Sequence, residues 1–96
     1  NGYLALKNLK AYGGHCITLN DEEILSAQKE LSSSCGLFSE PAAAAAYAGF
    51  LKQKKNLDSD TTCVVLLTGN GLKDITSASK NLLMPDKTIN SLNELN

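Results

Sequence analysis

Thr68 is followed by Gly69-Asn70-Gly71 and preceded by the most apolar run in the chain, residues 62–67. A threonine hydroxyl can donate to, or accept from, a ligand heteroatom. Flanking glycines let the backbone come close to whatever lies outside it. In open α/β sheets ligands bind beyond the carboxyl ends of the strands, which is where Thr68 would stand if residues 62–67 form a strand. Two readings follow: a ligand-facing loop, or a strand-to-helix turn whose glycines serve geometry alone. Glu40, just before Pro41, has two readings as well. It is either a helix-start residue favoured by the helix dipole, or a carboxylate facing the same cleft as Thr68.

Other reactive residue types carry less. His15, the single histidine, has no Ser, Cys or Asp partner at a meaningful spacing, so it specifies neither a triad nor a metal site. Cys16, Cys35 and Cys63 show no CxxC pairing and are expected to be small apolar packing residues in a reducing, cytoplasmic setting. Lys73 and Asp74 are adjacent, and a surface ion pair there would contribute less than ~1 kcal/mol.

The elements that must position these residues alternate in type. Tyr3, Leu4, Leu6, Leu9 and Tyr12 form a helical stripe that Gly13-Gly14 stops. Cys16-Ile17-Thr18-Leu19 reads as a short strand. Asn20 is a good helix cap with Glu23 three residues on, close to a capping box, and acidic residues 21–23 suit the positive end of the helix dipole. That helix runs through Ile24, Leu25, Ala27, Gln28 and Leu31 to Ser32-Ser33-Ser34 and Gly36. Pro41 suits the first turn of the next helix, which continues through five alanines, residues 42–46, to Leu51. So little exposed charge predicts a helix buried on most sides. Residues 62–67 read as a strand covered on both faces. The pattern weakens after Asp74, and residues 81–96 read as a loosely ordered tail. The order predicts an α/β fold, part of a parallel-sheet layer with flanking helices. Two strands do not make a stable sheet alone, so the chain is expected to complete a sheet supplied by other residues.

Composition narrows the function classes. In 96 residues there are nine basic and ten acidic side chains, a net charge of −1, and 43% hydrophobic residues. Nucleic-acid and anionic-membrane surfaces usually need a local basic excess, so neither partner is expected. The densest basic cluster, Lys52-Gln53-Lys54-Lys55, falls where it complements a helix C-terminus. No apolar segment approaches the ~20 residues that span a bilayer. The chain begins at Asn1 with a helical pattern almost at once, which suggests a piece of a longer protein.

Three elements in order carry a family resemblance: Asn20-Asp21-Glu22-Glu23-Ile24, Gly36-Leu37-Phe38-Ser39-Glu40-Pro41-Ala42, and Leu67-Thr68-Gly69-Asn70-Gly71-Leu72-Lys73-Asp74. The series resembles the C-terminal part of the threonine synthase family, pyridoxal-phosphate enzymes of the tryptophan-synthase-β type. It covers roughly residues 3–74, and the third element is the most specific. The resemblance implies a fragment of a larger fold type II enzyme, with residues 1–80 belonging to its cofactor-dependent α/β domain. It implies conversion of O-phosphohomoserine and water to threonine and phosphate. A threonine or serine dehydratase, a β-replacement relative, and a non-catalytic α/β binding module are the competing readings.

Thr68, Gly69 and Asn70 are the implied cofactor contacts, with Thr68 bonded to the pyridine nitrogen of pyridoxal phosphate. Asn70 stands where other members can have histidine, and Ala43 where serine is common. The implied partners are the remainder of the enzyme chain, a small amino-acid substrate, and a second copy in a homodimer. In such enzymes the cofactor-binding lysine and a glycine-rich phosphate loop lie earlier in sequence, and neither is recognisable here. The 96 residues alone are therefore expected to be inactive. Pyridoxal phosphate added to the isolated chain should give no absorbance band of a lysine-bound cofactor; such a band would contradict the expectation.

Overall fold

Capping chemistry sets the helices in a computed structural model that describes residues 2–80, 82–83, 85–86 and 88–94. Helix α1 spans Gly2–Tyr12. It ends where Gly13 adopts φ +69°, a left-handed conformation open to glycine, and Gly14 N–H donates to the Leu9 carbonyl at 3.0 Å. Helix α2 spans Asp21–Cys35 behind a complete capping box. Glu23 N–H donates to Asn20 Oδ1 at 2.8 Å, and Asn20 N–H donates to Glu23 Oε2 at 2.8 Å. Such a cap contributes about 1 kcal/mol. At the other end Gly36 takes φ +67°, and Leu37 N–H reaches back to the Leu31 carbonyl at 3.1 Å. Helix α3, Pro41–Gln53, starts with proline in its first turn, where a missing N–H costs no hydrogen bond. A single 3₁₀ turn, Lys54–Asn56, follows it.

The α2–α3 pair is the packed centre of the chain. Apart from Leu31 on α2 its buried apolar residues are small: Ala27 on α2, with Ala43, Ala44, Ala48 and Gly49 on α3. Leu31 is the largest apolar side chain buried among the described residues, worth about 2 kcal/mol. Polar contacts close the edges of the pair. Tyr47 Oη donates to Glu30 Oε1 at 2.8 Å, and Lys52 Nζ reaches Glu23 Oε1 at 2.8 Å and the Thr18 carbonyl at 3.0 Å. The alanine-rich helix is thus buried along one side, while Ala42 and Ala46 remain exposed.

No parallel sheet forms among the described residues, which corrects the α/β expectation. Residues 16–19 and 62–67 carry no regular secondary structure and no strand pairing. Both border a cavity of about 450 Å³ on α3, lined by Ile17, Leu19, Ala45, Gly49, Val64 and Leu66 among others. They meet the helix there without pairing as strands. Residues 62–67 are not covered on both faces either: Val64 and Leu66 are 84% and 71% exposed, while Val65 and Leu67 are half-buried. The physical reason is that an apolar run reports burial potential, whereas a strand needs a hydrogen-bonded neighbour. The cysteines are likewise corrected, since Cys16, Cys35 and Cys63 are exposed free thiols rather than packing residues.

The outline is open. The radius of gyration is 17.8 Å, against about 12–13 Å for a compact domain of this length. Accessible surface is 7876 Å², against about 5,300 Å² for a compact monomer of this mass. The excess is partly apolar: Tyr3, Tyr12, Leu72 and Leu92 are each more than two-thirds exposed, and α1 buries none of its residues.

The Lys52 ammonium, and then the Asn20 N–H, hold the Glu23 carboxyl below the usual carboxylate range. A carboxylate with a lowered folded pKa contributes stability above its unfolded pKa and loses it as pH falls through the folded value. Lys52→Met should therefore raise the Glu23 titration midpoint toward the ordinary value, leaving α2 less protected in mild acid. Side-chain NMR titration of Glu23 checks this, and an unchanged midpoint would count against the Lys52 contact.

Candidate functional site

The loop between α2 and α3 runs antiparallel to the segment after residue 68. Gly71 N–H donates to the Phe38 carbonyl at 2.9 Å, and Glu40 N–H donates to the Gly69 carbonyl at 3.0 Å. Ser39 therefore stands opposite Asn70 in an antiparallel bridge. This register is that of a non-hydrogen-bonded pair, in which facing side chains approach most closely.

Alternation along the bridge separates two faces. On one, Glu40 lies over Gly69 and Phe38 lies over Gly71. A Cβ on Gly71 would sit 2.6 Å from the Phe38 ring, and a Cβ on Gly69 would collide with the Glu40 carboxylate. Neither glycine has a positive φ, so both are required by close approach and not by backbone conformation. Glu40 also occupies the N-cap of α3 without making a side-chain cap bond. Its carboxylate is 3.8 Å from Lys73 Nζ, a long contact in which Lys73 is mostly exposed. Lys73 thus leans toward Glu40, while Asp74 accepts from Ser77 N–H at 3.1 Å and caps the short helix α4, Ile75–Ser79. Those Ser77 hydrogen bonds lower the Asp74 pKa.

On the other face the groups are polar. Ser39 is 2% exposed, and its Oγ is buried without a hydrogen-bond partner. Its carbonyl accepts from Gln28 Nε2 at 2.7 Å, a buried bond that ties the loop to α2. Asn70 uses Oδ1 to accept from Leu72 N–H at 2.9 Å, capping the 3₁₀ turn Gly71–Lys73. Thr68 is exposed, and its hydroxyl is unpaired among the described residues. Ser39, Thr68, Gly69 and Asn70 line one cleft of about 510 Å³, between residues 36–39 and 67–70. The cleft is open along one side, a groove and not an enclosed pocket.

Thr68, Gly69 and Asn70, expected to act together, are therefore gathered on one cleft wall. Gly69 turns out to be a packing requirement for Glu40, so the geometric reading of the loop holds at that position. Glu40 follows the first of its two readings: it sits at a helix start, its side chain turned over Gly69 and not among the residues that line the cleft. His15 is exposed and borders the α3 cavity instead. Sequence reasoning passed over Ser39 and Gln28. Their signal was present but faint: Gln28 interrupts an apolar helix face, and Ser39 separates Phe38 from Glu40 with the period of an extended segment. Among the described residues no group of His, Cys, Asp and Glu could hold a metal ion.

Comparison with known proteins gives the family of the chain. The family described as pyridoxal-phosphate dependent enzyme matches residues 1–69, which includes Thr68 and Gly69. Threonine synthase from Synechocystis sp. is 49% identical over 63 residues, covering 66% of this chain and 16% of that protein. Threonine synthase from Methanocaldococcus jannaschii is 41% identical over 76 residues, 77% of this chain and 19% of that protein. The Halalkalibacterium halodurans threonine synthase is 45% identical over 62 residues, 62% of this chain and 18% of that protein. The chain spans less than a fifth of the length of these relatives.

Phe38 and Gly71 test the packing half of this arrangement. Gly71→Ala should destabilise the loop pair by about 1–3 kcal/mol, the usual cost of overpacking. Gly69→Ala should cost less, because Glu40 is a flexible chain that can swing aside. Adding Phe38→Leu should recover part of the Gly71→Ala loss. Thermal unfolding of the single and double variants decides; additive losses would show that Phe38 and Gly71 are not coupled.

Proposed function

The chain belongs to the pyridoxal-phosphate dependent enzyme family, and from that premise we propose that it forms the part of a threonine synthase that holds the cofactor ring. The observation that carries the reading is the Thr68 hydroxyl, unpaired within the described residues on the wall of a cleft of about 510 Å³. Thr68 pairs with the pyridine nitrogen, and Gly69 and Asn70 complete the wall beside it. A hydroxyl can accept from or donate to that nitrogen, so it does not force the ring to stay protonated as a carboxylate partner would. Bound pyridoxal phosphate supplies an electron sink for carbanion chemistry, and the protein's part is to orient and tune the ring.

Fit to the cofactor rests on the chain's own groups. The cleft is large enough, one wall is polar, and the Glu40 carboxylate is turned over Gly69 rather than onto the Thr68 hydroxyl. The Gln28–Ser39 bond and the two backbone bonds of the bridge hold that wall still, which is what a positioning role demands. The substrate of this reading is O-phosphohomoserine, converted with water to threonine and phosphate. The remainder of the enzyme chain covers the exposed Val64 and Leu66 and brings the other catalytic groups. Assembly as a homodimer is part of the same reading. Three exposed free thiols suit a reducing, cytoplasmic compartment.

Thr68→Ala in the complete protein should weaken pyridoxal phosphate binding about three- to tenfold, the worth of one neutral hydrogen bond. It should also shift the absorbance spectrum of the bound cofactor, and Thr68→Ser should retain most of both properties. Unchanged affinity, spectrum and turnover in Thr68→Ala would remove Thr68 from the site.

A further inference from the structure

Ser39 carries a hydroxyl that the fold does not use. It is 2% exposed, its Oγ is closed to solvent, and no donor or acceptor among the described residues meets it. Buried polar groups are almost always paired, so an orphan asks for a reason. Nothing in the packing of the loop supplies one. The backbone of Ser39 is already held by Gln28 Nε2 through its carbonyl, and by the bonds of Phe38 and Glu40 on either side. An alanine would keep all three bonds.

The neighbour across the bridge is Asn70, in the register where facing side chains come closest. Asn70 spends Oδ1 on Leu72 N–H, which leaves the two N–H groups of Nδ2 without a partner among the described residues. Ser39 and Asn70 border the same cleft as Thr68. We propose that Ser39 is a positioning residue for the ligand of this cleft: when the cleft fills, its hydroxyl accepts from Asn70 Nδ2 and fixes the Asn70 side chain against the bound molecule. The unpaired hydroxyl of the free state is then a group held in reserve, and binding satisfies it. Any ligand that presses Asn70 toward the bridge gains from the bond, and the free protein bears its absence.

This proposal rests on the reading that the cleft takes pyridoxal phosphate. It predicts opposite signs for stability and binding, which a purely structural serine cannot give. Ser39→Ala removes an unsatisfied buried hydroxyl, so it should leave the melting temperature of the cofactor-free protein unchanged or higher. The same variant should weaken pyridoxal phosphate binding about three- to tenfold. Ser39→Cys keeps the shape with a somewhat larger and more weakly hydrogen-bonding group, and should also bind less tightly. Asn70→Ala should weaken binding, and adding Ser39→Ala to it should cost nothing more.

The experiment is a titration of the cofactor-free complete protein with pyridoxal phosphate, followed by absorbance and fluorescence, alongside thermal unfolding without cofactor. A lowered melting temperature with unchanged affinity in Ser39→Ala would assign Ser39 a structural role and overturn the proposal. Additive losses in the Ser39→Ala/Asn70→Ala double variant would overturn it too. If Thr68→Ala weakens binding while Ser39→Ala does not, the proposal fails and the cofactor reading stands. If neither variant affects binding, both fail together.

Discussion

Two backbone hydrogen bonds, from Gly71 to Phe38 and from Glu40 to Gly69, hold the candidate site in place. They join segments about thirty residues apart and fix which residue faces which. Every other feature of the site follows from that register. Glu40 must lie over Gly69 and Phe38 over Gly71, so those two positions have no room for a side chain. Ser39 and Asn70 must then oppose each other on the remaining face. A shift of one residue would turn Ser39 toward the packed side and set Phe38 against the polar one. The glycines therefore protect the register as much as they shape the loop.

What could be read from the sequence was local. The Asn20–Glu23 capping box, the glycine stops at residues 13 and 36, and the proline at the start of α3 all appear as expected, because each is decided within one helical turn. The parallel sheet did not appear, because strands are decided by distant neighbours. Residues 62–67 are apolar enough for a buried strand, yet four of the six are exposed. The same limit applied at the site. That Thr68, Gly69 and Asn70 share a wall was legible from their contiguity. That Glu40 and Phe38 are the reason for the two glycines was not, since it depends on the antiparallel register between two loops.

The energetic balance of the chain explains why the site is firm while much of the surroundings is open. Small residues at the α2–α3 contact bury modest area each, and Leu31 is the largest apolar side chain fully committed there. Polar links supplement that contact at both ends, through Tyr47 and Glu30 at one side and Lys52 and Glu23 at another. These exposed links are worth little individually. The buried Gln28–Ser39 bond matters more, because breaking it would strand a buried amide and a buried carbonyl together. It anchors the α2–α3 loop to the best-packed part of the chain.

That anchoring bears on how the wall of the candidate cleft can be built from loops at all. Loops move more than helices unless their backbone groups are tied down. Here the wall uses a C-cap glycine, a buried glutamine bond, a helix N-cap and a two-bond bridge, so each of its residues is within one or two positions of a fixed point. Two of the polar side chains on that wall are then spared from structural duty: Thr68 and the Ser39 hydroxyl make no side-chain bond among the described residues, whereas Asn70 caps the 3₁₀ turn. A wall organised this way leaves Thr68 and the Ser39 hydroxyl apart from the groups that hold the backbone. Substitution of those two hydroxyls leaves the backbone bonds of the wall in place, and for that reason they are better probes of ligand binding than the glycines beside them.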